Sequence, residues 1–533
     1  MRISKPAIAV LAGAVCSWAL AVGGSSDEAV QAHNQLPPEK SRRHVVIVVW
    51  DGMRPDFVKE QNCPTLCQLA RGGVTFAHHH SVYPSATEVN GTAIFTGGYP
   101  AHDGILGNHE YRPDIDPSKP VRTESAETVR KGDELTHGRY LHLPTLAEIV
   151  RGAGGKAAVA GAKPVALLAD RAARSTAAAG ANVFAGAALP TTLEETLAHR
   201  YGPFPKEGKG NPTRNDWTAE ALINLLWADG VPDFTLLWLN QPDSSQHQTG
   251  PGSKASLEGI RNADQNLARV LKALEAKGAR ETTDVLVVSD HGFSTIASRI
   301  DMAKELQNAG LNATREFKAK PARGDVLVVG NSGTTTIYVI GHDADVIQKT
   351  VGALQRSKFS GVIFTREALP GTFALSQAHL DSDLAADVIV ASRWTAEKNQ
   401  NGTPGMIMVD ASSSVTEGSH VSLSPFDMHA TLVAAGPDFR SGVVDALPSG
   451  NVDIAPTVLW VLGIKPPKPM DGRVLAEALT INGPALKSYE PRHIEAACEH
   501  DGMVWRQYLN VTEVNGVEYL DEGNGGSVEA LKR

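Results

Sequence analysis

Acidic side chains and histidines stand close together at two places in the sequence, at spacings that suit metal coordination. Asp243 and His247 are four residues apart, so a helical turn lets both side chains reach one cation. Asp290 and His291 are adjacent, and Asp51 adds a third carboxylate. Any one of these groups alone is weak evidence, because most acids and histidines bind no metal. Carboxylates and imidazoles without thiolates favour zinc over manganese or calcium.

A threonine at the start of a possible helix could supply the nucleophile for a reaction at the metal site. Thr87 follows Tyr83-Pro84-Ser85-Ala86 and precedes Glu88. If Thr87 opens a helix, the backbone N–H groups and the helix dipole favour an anion there. A nearby cation lowers the pKa of the hydroxyl, which can then attack phosphorus. The alternative is that Ser85 or Thr87 only caps the helix.

Three strongly apolar segments lead into the acids and must position them. Residues 45–50, 234–239 and 285–289 are continuous runs of aliphatic and aromatic residues. Such runs are typical of parallel strands that are buried on both faces. Because ligands of open α/β sheets bind beyond the carboxyl ends of the strands, the three acids are expected to share one site.

The rest of the chain predicts a doubly wound, mostly parallel α/β sheet flanked by helices. Helical patterns cover residues 219–227 and 256–277. Shorter strand-like runs between 294 and 419 predict an inserted, smaller α+β cap. The catalytic core would then comprise residues 44–293 and 420–480, and residues 481–533 form a C-terminal tail with no assigned structure.

The N-terminus and the composition indicate an exported globular protein. Arg2 and Lys5 precede an apolar stretch over 7–18 and a small-residue cleavage pattern, which predicts a signal peptide over 1–24 and a linker over 25–43. The stretch is short of the roughly 20 residues of a spanning helix, so no membrane span is expected after cleavage. Cleavage at Cys16, as in a lipoprotein, is the alternative. We expect a periplasmic or secreted protein.

Charge and cysteine content add two bounds. The chain of 533 residues carries a formal charge of −9, which argues against binding of nucleic-acid polymers through a basic surface. Cys63 and Cys67 either pair with each other or remain buried thiols one helical turn apart. Neither alternative bears on the chemistry.

Six segments resemble, in the same order, the nucleotide pyrophosphatase/phosphodiesterase branch of the alkaline phosphatase superfamily. They are Val49-Trp50-Asp51-Gly52-Met53-Arg54-Pro55; Tyr83-Pro84-Ser85-Ala86-Thr87 with Asn90; Thr-Gly-Gly-Tyr-Pro-Ala-His-Asp-Gly-Ile-Leu-Gly-Asn over 96–108; Pro242-Asp243-Ser244-Ser245-Gln246-His247; Ser289-Asp290-His291-Gly292-Phe293; and Asp427-Met428-His429-Ala430. The resemblance covers roughly residues 43–295 and 418–479. It implies an alkaline-phosphatase-like fold and a two-metal phosphoric ester hydrolase.

The resemblance also implies a role for each matching residue. Asp243, His247 and His429 would hold one Zn²⁺ ion, and Asp51, Asp290 and His291 the other, which also binds Thr87. Asn108 would donate to a non-bridging phosphate oxygen. His420 is expected only to support the site, because Val421 replaces the usual glycine. His102 is expected to be structural, and His78, His79 and His80 match no ligand position. The reaction would pass through a phosphothreonine and retain configuration at phosphorus.

Two departures from the family pattern bear on a small phosphate-ester substrate. Glu88 replaces an aromatic residue that stacks a nucleobase, and an acid there repels anionic leaving groups. Lys163 stands where some monoesterase and phosphonate-cleaving relatives bind phosphate, although it could instead be a solvated lysine. Phosphodiesterase is therefore the first expectation and phosphomonoesterase or phosphonate hydrolase the second. A sulfatase motif is absent at the nucleophile. A non-catalytic metal-dependent binding protein would not need Thr87.

Overall fold

The computed structural model describes residues 43–171, 180–206, 212–410, 417–481, 483–486, 489–500 and 502–529. The predicted signal peptide, all of the predicted linker except residue 43, and Cys16 lie outside the described residues. Among the described helices, none combines the length and apolar character needed to cross a bilayer. Cys63 and Cys67 form no disulfide, so the alternative of two thiols is the one observed.

The strands follow one another from the core into the insertion and then to the C-terminal region. They are β1 His44–Trp50, β2 Val74–His80, β3 His109–Glu110, β4 Val121–Arg122, β5 Ala157–Gly161, β6 Ala181–Phe184, β7 Ala187–Leu189, β8 Phe234–Leu239, β9 Thr283–Val288, β10 Ser294–Ile300, β11 Ala313–Thr314, β12 Val326–Asn331, β13 Thr334–Val339, β14 Ser360–Thr365, β15 Phe373–Ala374, β16 Val388–Ser392, β17 Trp394–Lys398, β18 Pro404–Asp410, β19 Gly418–Ser419, β20 Leu432–Ala435, β21 Val443–Gly450, β22 Tyr489–His500, β23 Met503–Val514 and β24 Val517–Glu529.

Helices connect these strands. They are α1 Pro64–Arg71, α2 Thr87–Thr96, α3 Pro100–Asp103, α4 Ala126–Thr136, α5 Leu146–Gly152, α6 Ala166–Ala169, α7 Leu193–Tyr201, α8 Thr213–Ala221, α9 Asp243–Thr249, α10 Lys254–Ala276, α11 Met302–Asn308, α12 Ala344–Arg356, α13 Pro425–Met428 and α14 Ile454–Leu462. A π-helical turn, Leu222–Leu226, continues α8, and short 3-10 turns lie at Pro55–Phe57, Arg280–Thr282, Leu375–Ala378, Asn451–Asp453 and Ala476–Ala478.

The central sheet has nine strands in the order β21-β2-β20-β9-β1-β8-β5-β6-β7. β1 pairs in parallel with both β8 and β9, and β8 continues in parallel to β5. β20 runs antiparallel to β2 and β9, and β7 runs antiparallel to β6. The predicted mostly parallel sheet is confirmed.

The three predicted strands are buried because each face of the sheet meets a separate apolar core. Along β1, Val45, Ile47 and Val49 enter one core, and Val46, Val48 and Trp50 enter the other. The first core includes α2 and α14, and the second includes α1, α8 and α10. Strands covered on both faces require continuous apolar runs, which is the pattern that the sequence contains.

Residues 294–419 add two further sheets beside the core. Six strands lie in the order β11-β12-β13-β16-β14-β15, and four lie in the order β17-β18-β10-β19. The region that the sequence left unassigned forms a three-stranded antiparallel sheet, β22-β23-β24. This C-terminal sheet contacts the insertion, since the Trp394 indole N–H donates to the Gly523 carbonyl (2.8 Å).

Candidate metal and phosphate site

Three carboxylates meet at the carboxyl ends of neighbouring strands. Asp51 directly follows β1, and a single residue separates Asp290 from the end of β9. Asp243 is the first residue of α9, which comes after β8. The backbone N–H of Asp243 donates to the carbonyl of Asp51 (2.9 Å). Gly52 has a φ of +74°, and a Cβ there would lie 3.1 Å from the Cβ of Asp243. A glycine after Asp51 thus permits the close approach of two acids.

Each of these carboxylates has one oxygen held by the protein and one oxygen that accepts no hydrogen bond. Asp51 Oδ2 accepts from the Trp238 indole (2.8 Å), and Asp290 Oδ1 accepts from the backbone N–H of Gly52 (3.0 Å). Asp243 Oδ2 accepts from the Lys163 ammonium (2.9 Å). Within the described part of the chain, Asp51 Oδ1, Asp243 Oδ1 and Asp290 Oδ2 are buried without a hydrogen-bond partner. Buried carboxylate oxygens of this kind are normally paired or bound to a metal.

Three histidines turn the same ring nitrogen toward the acids. The Nδ1 atoms of His247, His291 and His420 lie 3.0, 2.8 and 2.8 Å from the carbonyls of Gly418, Gly292 and Ser85. A carbonyl only accepts, so each Nδ1 carries a proton, and a ring in its neutral form then has its lone pair on Nε2. Metal-ligating histidines are commonly oriented by this hydrogen bond.

The Nε2 atoms lie close enough to the acids to share cations with them. His247 Nε2 is 3.2 Å and His420 Nε2 is 3.6 Å from Asp243 Oδ1. His291 Nε2 is 3.3 Å from Asp290 Oδ2 and 3.6 Å from Asp51 Oδ1. The ligand atoms of Asp243, His247 and His420 form one candidate metal group, and those of Asp51, Asp243 and His291 form another, each within 4.8 Å. The donor set fits zinc or a similar divalent ion.

Lys163 is the basic side chain that neutralises part of this acidic site. Its ammonium lies 2.9 Å from Asp51 Oδ2 and 2.9 Å from Asp243 Oδ2, and 3.5 Å from the Thr87 hydroxyl. One ammonium cannot balance three carboxylates. Buried, unbalanced charge is costly, and this imbalance is a second reason to expect cations in the site.

The pKa values follow the same balance of burial and charge. Burial and the neighbouring carboxylates raise the pKa of Asp51 to about 7, and burial raises the pKa of Asp290 to about 7. Burial also acts on Asp243, but the ammonium of Lys163 and the ring of His247 hold its pKa well below the usual value. Burial lowers the pKa of His420, which favours the neutral ring that can bind a metal.

Thr87 opens α2 beside this cluster. Its hydroxyl oxygen lies 3.2 Å from His291 Nε2, and the side chain is 1% exposed. The loop before the helix is fixed by Asn90, whose carboxamide accepts from the backbone N–H of Val82 (2.7 Å) and donates to the Ala86 carbonyl (3.1 Å). Asn451 in turn donates to the Asn90 side chain (2.9 Å). Asn90 and Asn451 thus position the hydroxyl without touching it.

Asn108 and Glu88 lie at the same helix terminus. The Asn108 carboxamide oxygen accepts from the backbone N–H of Glu88 (3.2 Å), so the Asn108 side chain stands at the start of α2. The Glu88 side chain is buried, and its Oε2 accepts no hydrogen bond within the described residues. Burial and the nearby carboxylate of Glu124 raise the pKa of Glu88 well above its usual value.

A family model described as type I phosphodiesterase/nucleotide pyrophosphatase matches residues 45–422. The chain belongs to this family. Its members are hydrolases of phosphoric ester bonds, so the predicted family and enzyme class are confirmed. The chain is 23% identical over 441 residues to bis(5'-adenosyl)-triphosphatase enpp4 of Mus musculus, a match that covers 80% of this chain and 79% of the relative.

Other relatives show the same extent of similarity. Ectonucleotide pyrophosphatase/phosphodiesterase family member 7 of Homo sapiens is 21% identical over 437 residues, which covers 80% of this chain and 81% of the relative. The solved structure of murine ectonucleotide pyrophosphatase/phosphodiesterase 5 superposes with a TM-score of 0.59 at 16% identity. That match covers 82% of this chain and 100% of the solved chain, and it confirms the alkaline-phosphatase-like fold.

One predicted ligand of this phosphodiesterase-family site needs correction. His429 does not join Asp243 and His247; its Nε2 lies 2.7 Å from the carboxylate of Asp521, and His420 takes the expected place. The glycine that usually follows this histidine in the family is Val421, which has a φ of +75°. A valine thus adopts the left-handed backbone conformation that glycine favours.

The remaining histidines fall into distinct environments. His78 is exposed, and His79 is buried between Ser449 and Asn451 (2.9 and 3.0 Å). His80 lies with His429 and Asp521, outside the site of the three acids. His102 is mostly exposed and pairs with Asp471 (2.9 Å), and its structural role stays a prediction. Asp521 could not be found from the sequence, because the C-terminal sheet that carries it was not predicted.

Proposed function

We propose that this protein hydrolyses phosphate esters, and phosphodiesters first, with Thr87 as the nucleophile. The observation that carries the proposal is the position of the Thr87 hydroxyl, 3.2 Å from His291 Nε2 and 3.5 Å from the Lys163 ammonium, at the edge of three unpartnered carboxylate oxygens. A binding protein has no need for a hydroxyl at this point.

The residues fit two divalent cations, and zinc suits the donor set best. Asp243, His247 and His420 would hold one, and Asp51, Asp290 and His291 the other. Bound there, the cations would lower the pKa of the Thr87 hydroxyl and neutralise charge on the attacking and leaving oxygens. This assignment keeps the predicted set except for the exchange of His429 for His420.

The chain's own groups account for the rest of the reaction. The Thr87 hydroxyl gives up its proton to solvent, and its oxygen forms a bond to phosphorus. The leaving oxygen departs with the electron pair of the broken bond and takes up a proton from solvent. The Lys163 ammonium and the N–H groups at the start of α2 stabilise the negative charge of the other phosphoryl oxygens. Asn108 stands at the same helix start and would contribute there. Water then displaces Thr87, and two inversions give net retention at phosphorus.

The position of Glu88 favours substrates whose leaving group carries no negative charge. Its carboxyl group is buried directly after the nucleophile, and Glu124 lies near it. An anionic leaving group would meet repulsion if Glu88 ionises, whereas a hydroxyl or an ammonium could satisfy the unpartnered oxygen. The solved mouse relative was also studied in complex with AMP. A nucleotide is therefore the substrate against which other esters should be compared. We propose that this chain prefers an ester with a different leaving group.

A phosphomonoesterase or phosphonate hydrolase is the second candidate, and Lys163 favours it. The Lys163 ammonium is within reach of a phosphoryl group on Thr87, and a monoester carries one more negative charge than a diester. The two contacts of Lys163 with carboxylates speak against the alternative of a lysine that is only solvated.

Rates on simple esters test both candidates. We expect zinc-dependent turnover of a chromogenic phosphodiester, slower turnover of the monoester and none of the sulfate ester, and loss of all turnover after chelation. Thr87→Ala should abolish turnover, whereas Thr92→Ala, one helical turn further along α2, should keep it. Metal binding without turnover of any ester would instead favour a non-catalytic binding protein.

We also propose export, on the sequence of the first 24 residues alone. The mass of the mature N-terminus, measured after expression with a secretion system, tests this proposal. An unprocessed chain retained in the cytoplasm would contradict it.

A further inference from the structure

Three side chains of types that can bind a metal meet at a place separate from the candidate active site. His80 ends β2, His429 follows α13 directly, and Asp521 lies in β24. His80 Nε2 is 3.1 Å and His429 Nε2 is 2.7 Å from the same oxygen, Asp521 Oδ1. The two imidazole rings stand at 87° with their centroids 5.2 Å apart, so both rings point an Nε2 atom at one small volume.

The hydrogen bonds of His80 leave that contact unexplained without a cation. Its Nδ1 lies 3.1 Å from the carbonyl of Ser449, which only accepts, so Nδ1 carries a proton. In the neutral ring Nε2 then carries a lone pair and can only accept a hydrogen bond. It faces a carboxylate oxygen that also only accepts. A doubly protonated ring would place a charge on a side chain that is 3% exposed, where burial disfavours it. A metal ion between the two acceptors satisfies both.

The backbone of β24 is shaped to bring Asp521 to this place. Asn510 pairs with Glu522 and Val511 pairs with Leu520, so Asp521 is the extra residue of a β-bulge. Bulges turn a side chain away from the regular alternation of a strand and are often found at functional sites. The Ser449 carbonyl supplies the outer hydrogen bond that commonly orients a metal-binding histidine.

We propose that His80, His429 and Asp521 form a separate structural site for a divalent cation such as Zn²⁺. Two imidazoles and one carboxylate are suitable zinc ligands, and water can take the fourth position because His429 and Asp521 are 35% and 38% exposed. The ion joins three parts of the chain. These are the end of β2, which leads to Thr87, the segment that carries His420, and the C-terminal sheet.

Zinc content, measured after loading and desalting, tests the proposal. Asp521→Asn and His429→Gln should each bind one equivalent less per chain than the parent. Glu522→Gln, the neighbour of the bulge, and His78→Gln, an exposed histidine on β2, are the matched controls and should bind as much as the parent. Equal zinc content in the parent, Asp521→Asn and His429→Gln would overturn the proposal.

A second measurement separates this site from the candidate active site. In a chain that carries Asp51→Asn and Asp243→Asn, we expect one equivalent of zinc to remain bound and added zinc still to raise the melting temperature. Adding Asp521→Asn to that chain should remove both effects. If the chain with the two active-site substitutions is folded by circular dichroism and binds no zinc, the proposal is wrong, whatever the activity of the parent.

Discussion

Replacing Lys163 tests how the site distinguishes esters of different charge. Lys163→Met keeps the length of the side chain and removes the ammonium that lies 3.5 Å from the Thr87 hydroxyl. A unit charge about 4 Å away interacts by about 4 kcal/mol at an effective dielectric constant of 20. The Lys163 side chain is 21% exposed, so solvent screens part of this energy. The energy of a hydrogen bond to a charged group, about 1.5–3 kcal/mol, is therefore the better estimate of what the substitution removes.

The expected result is a change in the ratio of two rates. That energy corresponds to a loss of about 10- to 150-fold in kcat/KM for a monoester. The diester has one negative charge less, which roughly halves the interaction energy, so its loss should be only about 3- to 12-fold. The assay compares p-nitrophenyl phosphate with bis-p-nitrophenyl phosphate at saturating zinc. Lys156→Met, at an exposed lysine, is the control.

Two outcomes would refute this reasoning. Equal losses for both esters would mean that Lys163 only neutralises Asp51 and Asp243. No loss for either ester would mean that the ammonium leaves the site when cations bind. Measuring zinc content in the same samples separates a weaker metal site from weaker binding of the phosphoryl group.

The other predictions concern the nucleophile, the corrected ligand and one buried acid. Thr87→Ser should keep measurable turnover and form a phosphoserine on rapid acid quench, since it keeps the hydroxyl; no trapped phosphoenzyme would contradict the proposed intermediate. His420→Ala should raise the zinc concentration for half-maximal activity at least about 10-fold, with exposed His102→Ala as control; an unchanged zinc requirement would restore His429 as a candidate ligand. Burial and the carboxylate of Asp438 raise the pKa of Asp284 to about 7, so its contribution to stability is present below about pH 4 and is lost as the pH rises through 7. In Asp284→Asn the free energy of unfolding should therefore change less with pH over this range. A pH dependence identical to that of the parent would refute the prediction.

The sequence predicted the parts of the site that depend on local pattern. Asp51 and Asp290 follow short apolar runs that are typical of inner strands, so their convergence at one sheet edge was predictable. Asp243 and His247 share a helical turn, and the structure has that turn as α9. These inferences needed only the periodicity of each segment and the rule for parallel sheets.

The choice between His420 and His429 depended on contacts between distant residues. Both histidines lie in the segment between β19 and β20, and local sequence does not tell which ring faces Asp243. The Ser85 carbonyl orients His420, and Asp521 attracts His429 from a sheet that the sequence did not predict. The bulge at Asp521 is a matter of strand register, which no local pattern encodes.

The last strand has a practical consequence for anyone who shortens this chain. A product that stops near residue 481 would keep each candidate ligand of the two-cation centre and Thr87. It would lose the Gly523 N–H that holds the Leu423 carbonyl (2.9 Å), three residues after His420. It would also lose Tyr519, whose hydroxyl donates to Asp453 (2.8 Å). A truncated product with a complete set of active-site residues should therefore have reduced activity. Such a loss would not contradict the roles proposed for the residues of the core.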